Sequence, residues 1–317
     1  MSKLETARPP IGARQPFGER MATLRREMGT REARAAYLFM LPSMIILAVF
    51  VFWPIIQSFL LSFYHWTFGS SVQQWVGLDN YQRLIPDARV WNAFRNTLYY
   101  TVITVPVGMV VSLALALALN RKLPGRGLLR SAFFLPVIGS FAIIAMIWSF
   151  LFDPDIGLLA YWLHAIGVPV TGWLRDPDWA MPVVILVSIW KNLGFNMVIF
   201  LAGLQGISEN LYEAARMDGA SSWQVFWRIT LPMLRPTTLF VLVISVIGAF
   251  QVFDPVYVLT PGGGPLHSTE TVVAYIFHEG IELIDISYAS TIGVILFVIV
   301  LTLTLFQLRL LRFREVD

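Results

Sequence analysis

Polar residues interrupt two long apolar runs. Lys191, Asn192 and Asn196 lie in the run 181–204, and Gln251 and Asp254 lie in the run 237–259. Groups of this kind among Val, Ile and Leu are costly, so each needs a ligand or a hydrogen-bond partner. Asn192 and Asn196 are one turn apart and share a helix face. Gln251 and Asp254 fall near one face of the second run. Amide and carboxylate groups beside Trp190, Phe253 and Tyr257 suit a ligand with many hydroxyls and an apolar ring face, such as a sugar. The candidate substrate path is therefore Trp190, Lys191, Asn192, Asn196, Gln251, Asp254 and Tyr257. A second reading stays open. Asn side chains also join helices to each other, and Lys191 would then neutralise Asp254 or reach a nearby carbonyl. Lys191 is roughly two turns deeper than Asp254, which disfavours a direct pair.

Other chemistries lack their residues. The chain contains no Cys, so thiol catalysis, disulfides and thiolate metal sites are excluded. Its four His are at 65, 164, 267 and 278, with no HExxH or other ligand spacing, so no metal site and no catalytic residue is expected. Gly262-Gly263-Gly264-Pro265 lacks the lysine of a phosphate loop and reads as a tight turn. No GxxxxGK[ST] pattern occurs, so any ATP chemistry belongs to another polypeptide and no cofactor is expected on this one.

The elements that carry these residues must lie in a bilayer. The chain has 317 residues, 56% hydrophobic and 14% charged, with mean hydropathy +0.66. A water-soluble fold of that size cannot hide so much apolar surface. Six runs are long enough to span: 36–64, 97–119, 131–152, 181–204, 237–259 and 288–308. Pro42 and Pro54 are possible kinks in the long first run. An all-α membrane protein of six transmembrane helices is expected. Three regions follow: an N-terminal arm at 1–35, a membrane domain at 36–308 and a tail at 309–317.

Lys and Arg alternate from side to side. Lys3, Arg8, Arg14, Arg20, Arg25, Arg26, Arg31 and Arg34 precede the first span. Arg121, Lys122, Arg126 and Arg130 follow the second, Arg216, Arg228 and Arg235 follow the fourth, and Arg309, Arg312 and Arg314 end the chain. The alternate connections hold only Arg83, Arg89, Arg95 and Arg175, and the last of them carries Glu270, Glu279, Glu282 and Asp285. The positive-inside rule then places both termini and the loop 205–235 in the cytoplasm. Trp66, Trp75 and Tyr81, with Trp162, Trp173 and Trp179, fit an interfacial belt on the outer side or a lip that receives a docking protein.

The loop contains EAARMDGASSWQVFWRITLP at 213–232. A helix through Met217, a positive φ at Gly219 and a second helix capped by Ser221 or Ser222 are expected. That second helix runs through Phe226, Trp227 and Ile229, and Pro232 ends it. Trp223, Phe226 and Trp227 share one face. By itself this is either a loop helix folded onto its own membrane domain or a handle for a soluble partner.

The order Glu213-Ala214-Ala215, Gly219, Ile229, Leu231-Pro232 resembles the EAA motif of ABC-importer membrane subunits. GLDNYQRL at 77–84, WKNLGFN at 190–196 and TPGGGP with Thr269 resemble the sugar-type permeases of that family, related to maltose and glycerol-3-phosphate importers. The resemblance implies a type I ABC-importer permease fold with a cytoplasmic coupling helix. Glu213, Ala214, Ala215, Asp218, Gly219, Ile229, Leu231 and Pro232 would form the coupling site. The implied partners are a second homologous permease in a heterodimer, two cytoplasmic ATPase subunits that bind ATP and an extracytoplasmic substrate-binding protein. All of them sit in or on a bacterial or archaeal cell (inner) membrane, with no nucleic acid. The expected cargo is a di- or oligosaccharide. Glycerol-3-phosphate or a glycerophosphodiester is the alternative, and a basic cavity would favour it. A secondary transporter would need mid-membrane carboxylates beyond Asp254, and a membrane-embedded enzyme would need clustered His or carboxylates.

Overall fold

The computed structural model describes residues 31–66, 73–121, 124–168 and 172–312. The arm at 1–30 and the tail at 313–317 lie outside the described residues. Two compact units are present, Met1–Gln57 and Ser58–Asp317. Helix α1 (Arg31–Leu47) continues through a π turn at Ala48–Phe52 into α2 (Trp53–Leu61). Pro42 sits inside α1, and the departure from α geometry precedes Pro54, where the Trp53 N–H bonds the Ala48 carbonyl. A widened turn there relieves the clash between the proline ring and the carbonyl four residues back.

The second unit is helical apart from a two-strand ribbon, β1 (Tyr64–His65) paired antiparallel with β2 (Gln74–Trp75). It contains α3 (Asp79–Leu84), α4 (Ala88–Asn120), α5 (Arg126–Ile138), α6 (Phe141–Leu151), α7 (Leu158–Ala165) and α8 (Ala180–Gln205). The loop region follows as α9 (Glu209–Met217), α10 (Ser222–Val225), a π turn at Phe226–Thr230 and α11 (Leu231–Met233). The chain closes with α12 (Arg235–Phe250), α13 (Asp254–Leu259), α14 (Val272–Phe277) and α15 (Ile286–Arg312).

Among the described residues, four helices are individually long and apolar enough to span, and six spans result if each of two bent pairs counts as one. Two expected spans are not single rods. The run 131–152 is α5 and α6, bent by 99°. Gly139 and Ser140 are extended at the joint, with ψ 146 and 136, just past Pro136, which cannot donate to the helix ladder. The run 237–259 stops at Phe250 and resumes at Asp254, ahead of Pro255, whose ring disfavours helical geometry in the preceding residue. The spans α4 and α8 match their runs and start earlier than expected.

Small residues let the helices approach. A Cβ on Gly194 of α8 would stand 2.2 Å from the Phe133 carbonyl oxygen of α5, and one on Gly203 would stand 2.4 Å from Thr237 Oγ1 of α12. Backbone contact of this kind is a main source of helix association where lipid removes the hydrophobic drive. Ser112 of α4 adds a hydrogen bond to the Leu193 carbonyl at 3.3 Å. The buried side chains form two clusters. On α8 the first ends at Val187 and the second begins at Met197. The stretch between them carries the candidate polar residues.

Candidate functional site

A cavity of about 370 Å³ occupies that gap, a size within the range of small-molecule sites. Asn192, Asn196, Gln251 and Asp254 all line it, beside Phe253. Asn196 is buried and Asn192 exposed. The Asn192 amide nitrogen donates back to the Ser188 carbonyl at 3.0 Å, which leaves its oxygen free to accept. Gln251 caps the end of α12 and Asp254 begins α13, so the helix break delivers both side chains to the same opening.

Trp190, Lys191 and Tyr257 do not line it. At 100° per residue, positions 188, 192 and 196 form one stripe of α8, while 190 and 191 fall on other faces. Trp190 packs edge-on against Trp148 at 5.3 Å. Lys191 is buried, and its Nζ donates to the Val137 carbonyl at 3.1 Å. That carbonyl is among the last of α5, which a helix leaves without internal partners. Nζ also stands 5.5 Å from the ring centroid of Phe141, the first residue of α6. Lys191 thus ties both halves of the broken span and does not neutralise Asp254. Tyr257 stacks on Phe253 at 5.0 Å and meets Phe277 edge-on at 5.2 Å, outside the cavity.

The loop 213–232 has a defined shape. Gly219 has φ +74, its N–H donates to the Arg216 carbonyl at 3.1 Å, and the Ala220 N–H donates to the Ala215 carbonyl at 2.9 Å. These two bonds make a Schellman end, which needs a left-handed residue at Gly219. Ser221 then caps α10 in a reciprocal box with Gln224. Tyr212 Oη and Thr230 Oγ1 meet at 3.3 Å and brace α9 against the second helical stretch. Ala215 is buried, while Glu213, Ala214, Asp218 and Gly219 are exposed and Ile229, Leu231 and Pro232 are half-buried. Pro232 does not end the element, since the helix runs to Met233 before a bend of 64° into α12. The π turn at Phe226–Thr230 makes room for the proline ring. Trp223 and Trp227 remain 69% and 49% exposed and contact each other and Phe226 edge-on or tilted. Trp223 and Trp227 thus leave most of this face uncovered, while Phe226 is half-buried.

The opposite end of the helices holds the Glu-rich connection. Glu270 bonds Arg89, Asp285 bonds Arg83 at 2.6 Å, and Thr269 Oγ1 donates to Thr260 Oγ1 at 2.8 Å beneath the triple-glycine turn. A Cβ on Gly264 would lie 2.4 Å from Thr269 Oγ1, so the glycines serve close backbone packing. Arg83 and Arg89 are thus paired with acidic residues of the last connection.

Residues 105–314 match the family of binding-protein-dependent transport system inner membrane components. The chain belongs to that family. This permease is 37% identical over 285 residues to the lactose transport system permease protein of Rhizobium radiobacter, covering 88% of this chain and 94% of that one. It is 35% identical to the trehalose/maltose transport system permease protein of Thermococcus litoralis, covering 90% and 96%. It is 36% identical to the sn-glycerol-3-phosphate transport system permease protein of Agrobacterium fabrum, covering 86% and 93%. A crystal structure of a bacterial ABC transporter involved in the import of the acidic polysaccharide alginate superposes on it with TM-score 0.81 at 27% identity, covering 92% of this chain and 99% of that one. The permease is a multi-pass membrane subunit of an ABC importer and not an enzyme.

Residues outside the sequence-derived set also shape the permease cavity. Tyr100, Thr104, Gly108 and Ser112 of α4 line it, as do Ser188 of α8 and Ser245 of α12. Their signal was present: Tyr100, Thr104, Gly108 and Ser112 recur every four residues, and so do Ser188, Asn192 and Asn196. Two such stripes on facing helices mark a polar seam. Single Ser and Thr residues within apolar runs hide it, because they also bond their own helix, as Ser188 does to the Val184 carbonyl at 2.7 Å.

Proposed function

We propose that this permease forms half of the translocation path for a neutral di- or oligosaccharide, driven by ATP on partner subunits. The carrying observation is the cavity lined by Asn192, Asn196, Gln251 and Asp254 beside hydroxyl groups of α4 and α8. No Lys or Arg lines it among the described residues. With Lys191 committed to Val137, the only in-span cation expected for a phosphate ester is engaged elsewhere. An anionic cargo would need its counter-charge from another chain. The relatives' names, which span lactose, trehalose/maltose and glycerol-3-phosphate, support hydroxylated cargo in general.

Energy enters through the loop 205–235. Glu213, Ala214, Ala215, Asp218, Gly219, Ile229, Leu231 and Pro232 shape a braced two-helix handle, and its exposed aromatic face docks into a cytoplasmic ATPase. ATP-driven closure of two ATPase subunits moves the handle and exposes the cavity alternately to each side. The permease pairs with a second, homologous permease and receives cargo from an extracytoplasmic binding protein. Its arm at 1–35 and tail at 309–317 lie in the cytoplasm.

The test is uptake by the full complex in proteoliposomes. Transport should require internal ATP and ignore a proton ionophore. Asn196→Leu should lower sugar uptake roughly tenfold, the effect of one lost hydrogen bond to bound ligand, with assembly unchanged. Ionophore-sensitive uptake without ATP would overturn the energy source, and normal uptake by Asn196→Leu would remove Asn196 from the path.

A further inference from the structure

A second cavity, of about 750 Å³, lies under the coupling loop and is separate from the transport cavity. Its walls are the last residues of α4, Asn120 and Arg121, the end of α8 at Leu204 and Gln205, and the loop residues Arg216 and Phe226. Two arginines therefore border one space. Every ion pair among the described residues is made by Arg83, Arg89, Arg175, His267 or His278, at the other end of the helices. Arg121 and Arg216 have none, although Glu209 also lines the cavity. A third guanidinium stands beside it. Arg130 Nη2 donates to the Leu119 carbonyl at 2.8 Å, one residue before Asn120, and its buried Nε has no hydrogen-bond partner.

The rest of the lining is mixed: Leu117, Ile207, Ala220 and Val225 form an apolar wall, and Tyr212, Ser222 and Thr230 add hydroxyl groups. Asn120 and Gln205 are the last residues of two apolar spans, so the cavity stands at the depth where hydrocarbon gives way to headgroups. Free phosphate would satisfy the arginines and leave the apolar wall empty. A molecule with a phosphodiester and acyl chains satisfies both, and basic pockets between spans on the cytoplasmic side recognise such headgroups.

We propose that this cavity binds the headgroup of an anionic phospholipid, held by Arg121 and Arg216. The lipid ties the coupling loop to the inner leaflet. This rests on the cytoplasmic placement of the loop 205–235.

The test reconstitutes the full importer complex into nanodiscs of phosphatidylcholine with phosphatidylglycerol and measures lipid retained after delipidation by native mass spectrometry. Phosphatidylglycerol should be retained in preference to phosphatidylcholine. Arg121→Gln with Arg216→Gln should weaken that retention roughly thirtyfold, from two lost surface charges, and Arg121→Lys with Arg216→Lys should keep most of it. Excess inorganic phosphate should not displace the lipid. Equal retention of both lipids, no effect of the Gln pair, or displacement by inorganic phosphate would each overturn the assignment. Retention is read without transport, so failure of sugar uptake in proteoliposomes of the same lipids would count against the transport reading alone.

Discussion

Arg89 and Glu270 stand 181 positions apart and meet in a two-pronged ion pair, Nε to Oε2 at 2.8 Å and Nη2 to Oε1 at 2.7 Å. The Glu270 side chain is only 3% exposed. The pair clamps the start of α4 to the chain leading into α14. Arg89 Nη1 also stands 3.0 Å from His278 Nε2, and Asn96 donates to the Glu270 carbonyl at 3.0 Å. Arg89→Ala should destabilise the protein by about 3 kcal/mol, because it strands a buried carboxylate. Arg89→Ala with Glu270→Ala should recover much of that loss. Thermal unfolding in detergent checks it, and an additive double variant would mean that the two residues act independently.

Asp87 gives this end of the protein a pH dependence. Partial burial alone would raise its pKa, but hydrogen bonds from the Tyr288 and Tyr275 hydroxyls and the Val90 and Arg89 N–H groups outweigh burial and hold it below the ordinary aspartate value of 3.8. The Tyr288 and Tyr275 bonds are 2.6 and 3.0 Å long. A carboxyl depressed in the folded state contributes its full stability above 3.8, and the contribution fades as pH falls below that value through the folded pKa. Asp87→Asn should therefore melt lower than the parent at neutral pH, and the gap should narrow below pH 3.8. A gap of constant size across the titration would rule out this linkage.

Lys191 and Asn196 lie on the same helix and should fail differently. Lys191→Met removes the bond to the Val137 carbonyl and should lower stability by roughly 1–3 kcal/mol. Its apparent KM for sugar should stay close to the parent's, since Lys191 does not line the cavity. Uptake kinetics and melting on one preparation separate the two roles. A large rise in KM without loss of stability would return Lys191 to the path.

Gly219 tests the handle. With φ +74, Ala there costs about 1–2 kcal/mol of local strain. Pro cannot adopt that φ and also deletes the N–H that bonds the Arg216 carbonyl. Gly219→Pro should insert in the membrane normally yet lose binding-protein-stimulated ATPase activity or release the ATPase, and Gly219→Ala should be intermediate. Full coupling in Gly219→Pro would show that the segment is not the handle.

Much of this arrangement was legible along the chain. The Schellman turn follows from a helix, a glycine and a serine cap in the right order, all within residues 213–224. Asn192 and Asn196 fall on the cavity because a four-residue spacing keeps them on one face. Lys191 was ambiguous for the opposite reason. Its partner, the Val137 carbonyl, exists as a free acceptor only because the span 131–152 breaks at Gly139, and hydropathy cannot reveal a break inside an apolar run.

The sequence by itself determined that the chain lives in a bilayer, the alternation of its basic residues between successive connections and the local geometry of the loop 213–232. Those depend on composition and on neighbours within a few turns. Only the tertiary structure decided which polar residues share the cavity, that Arg89 meets Glu270, and that α5 and α6 are two helices rather than one. These depend on backbone approach at Gly194 and on partners more than 50 positions apart, and the choice among possible partners is made by packing, not by residue type.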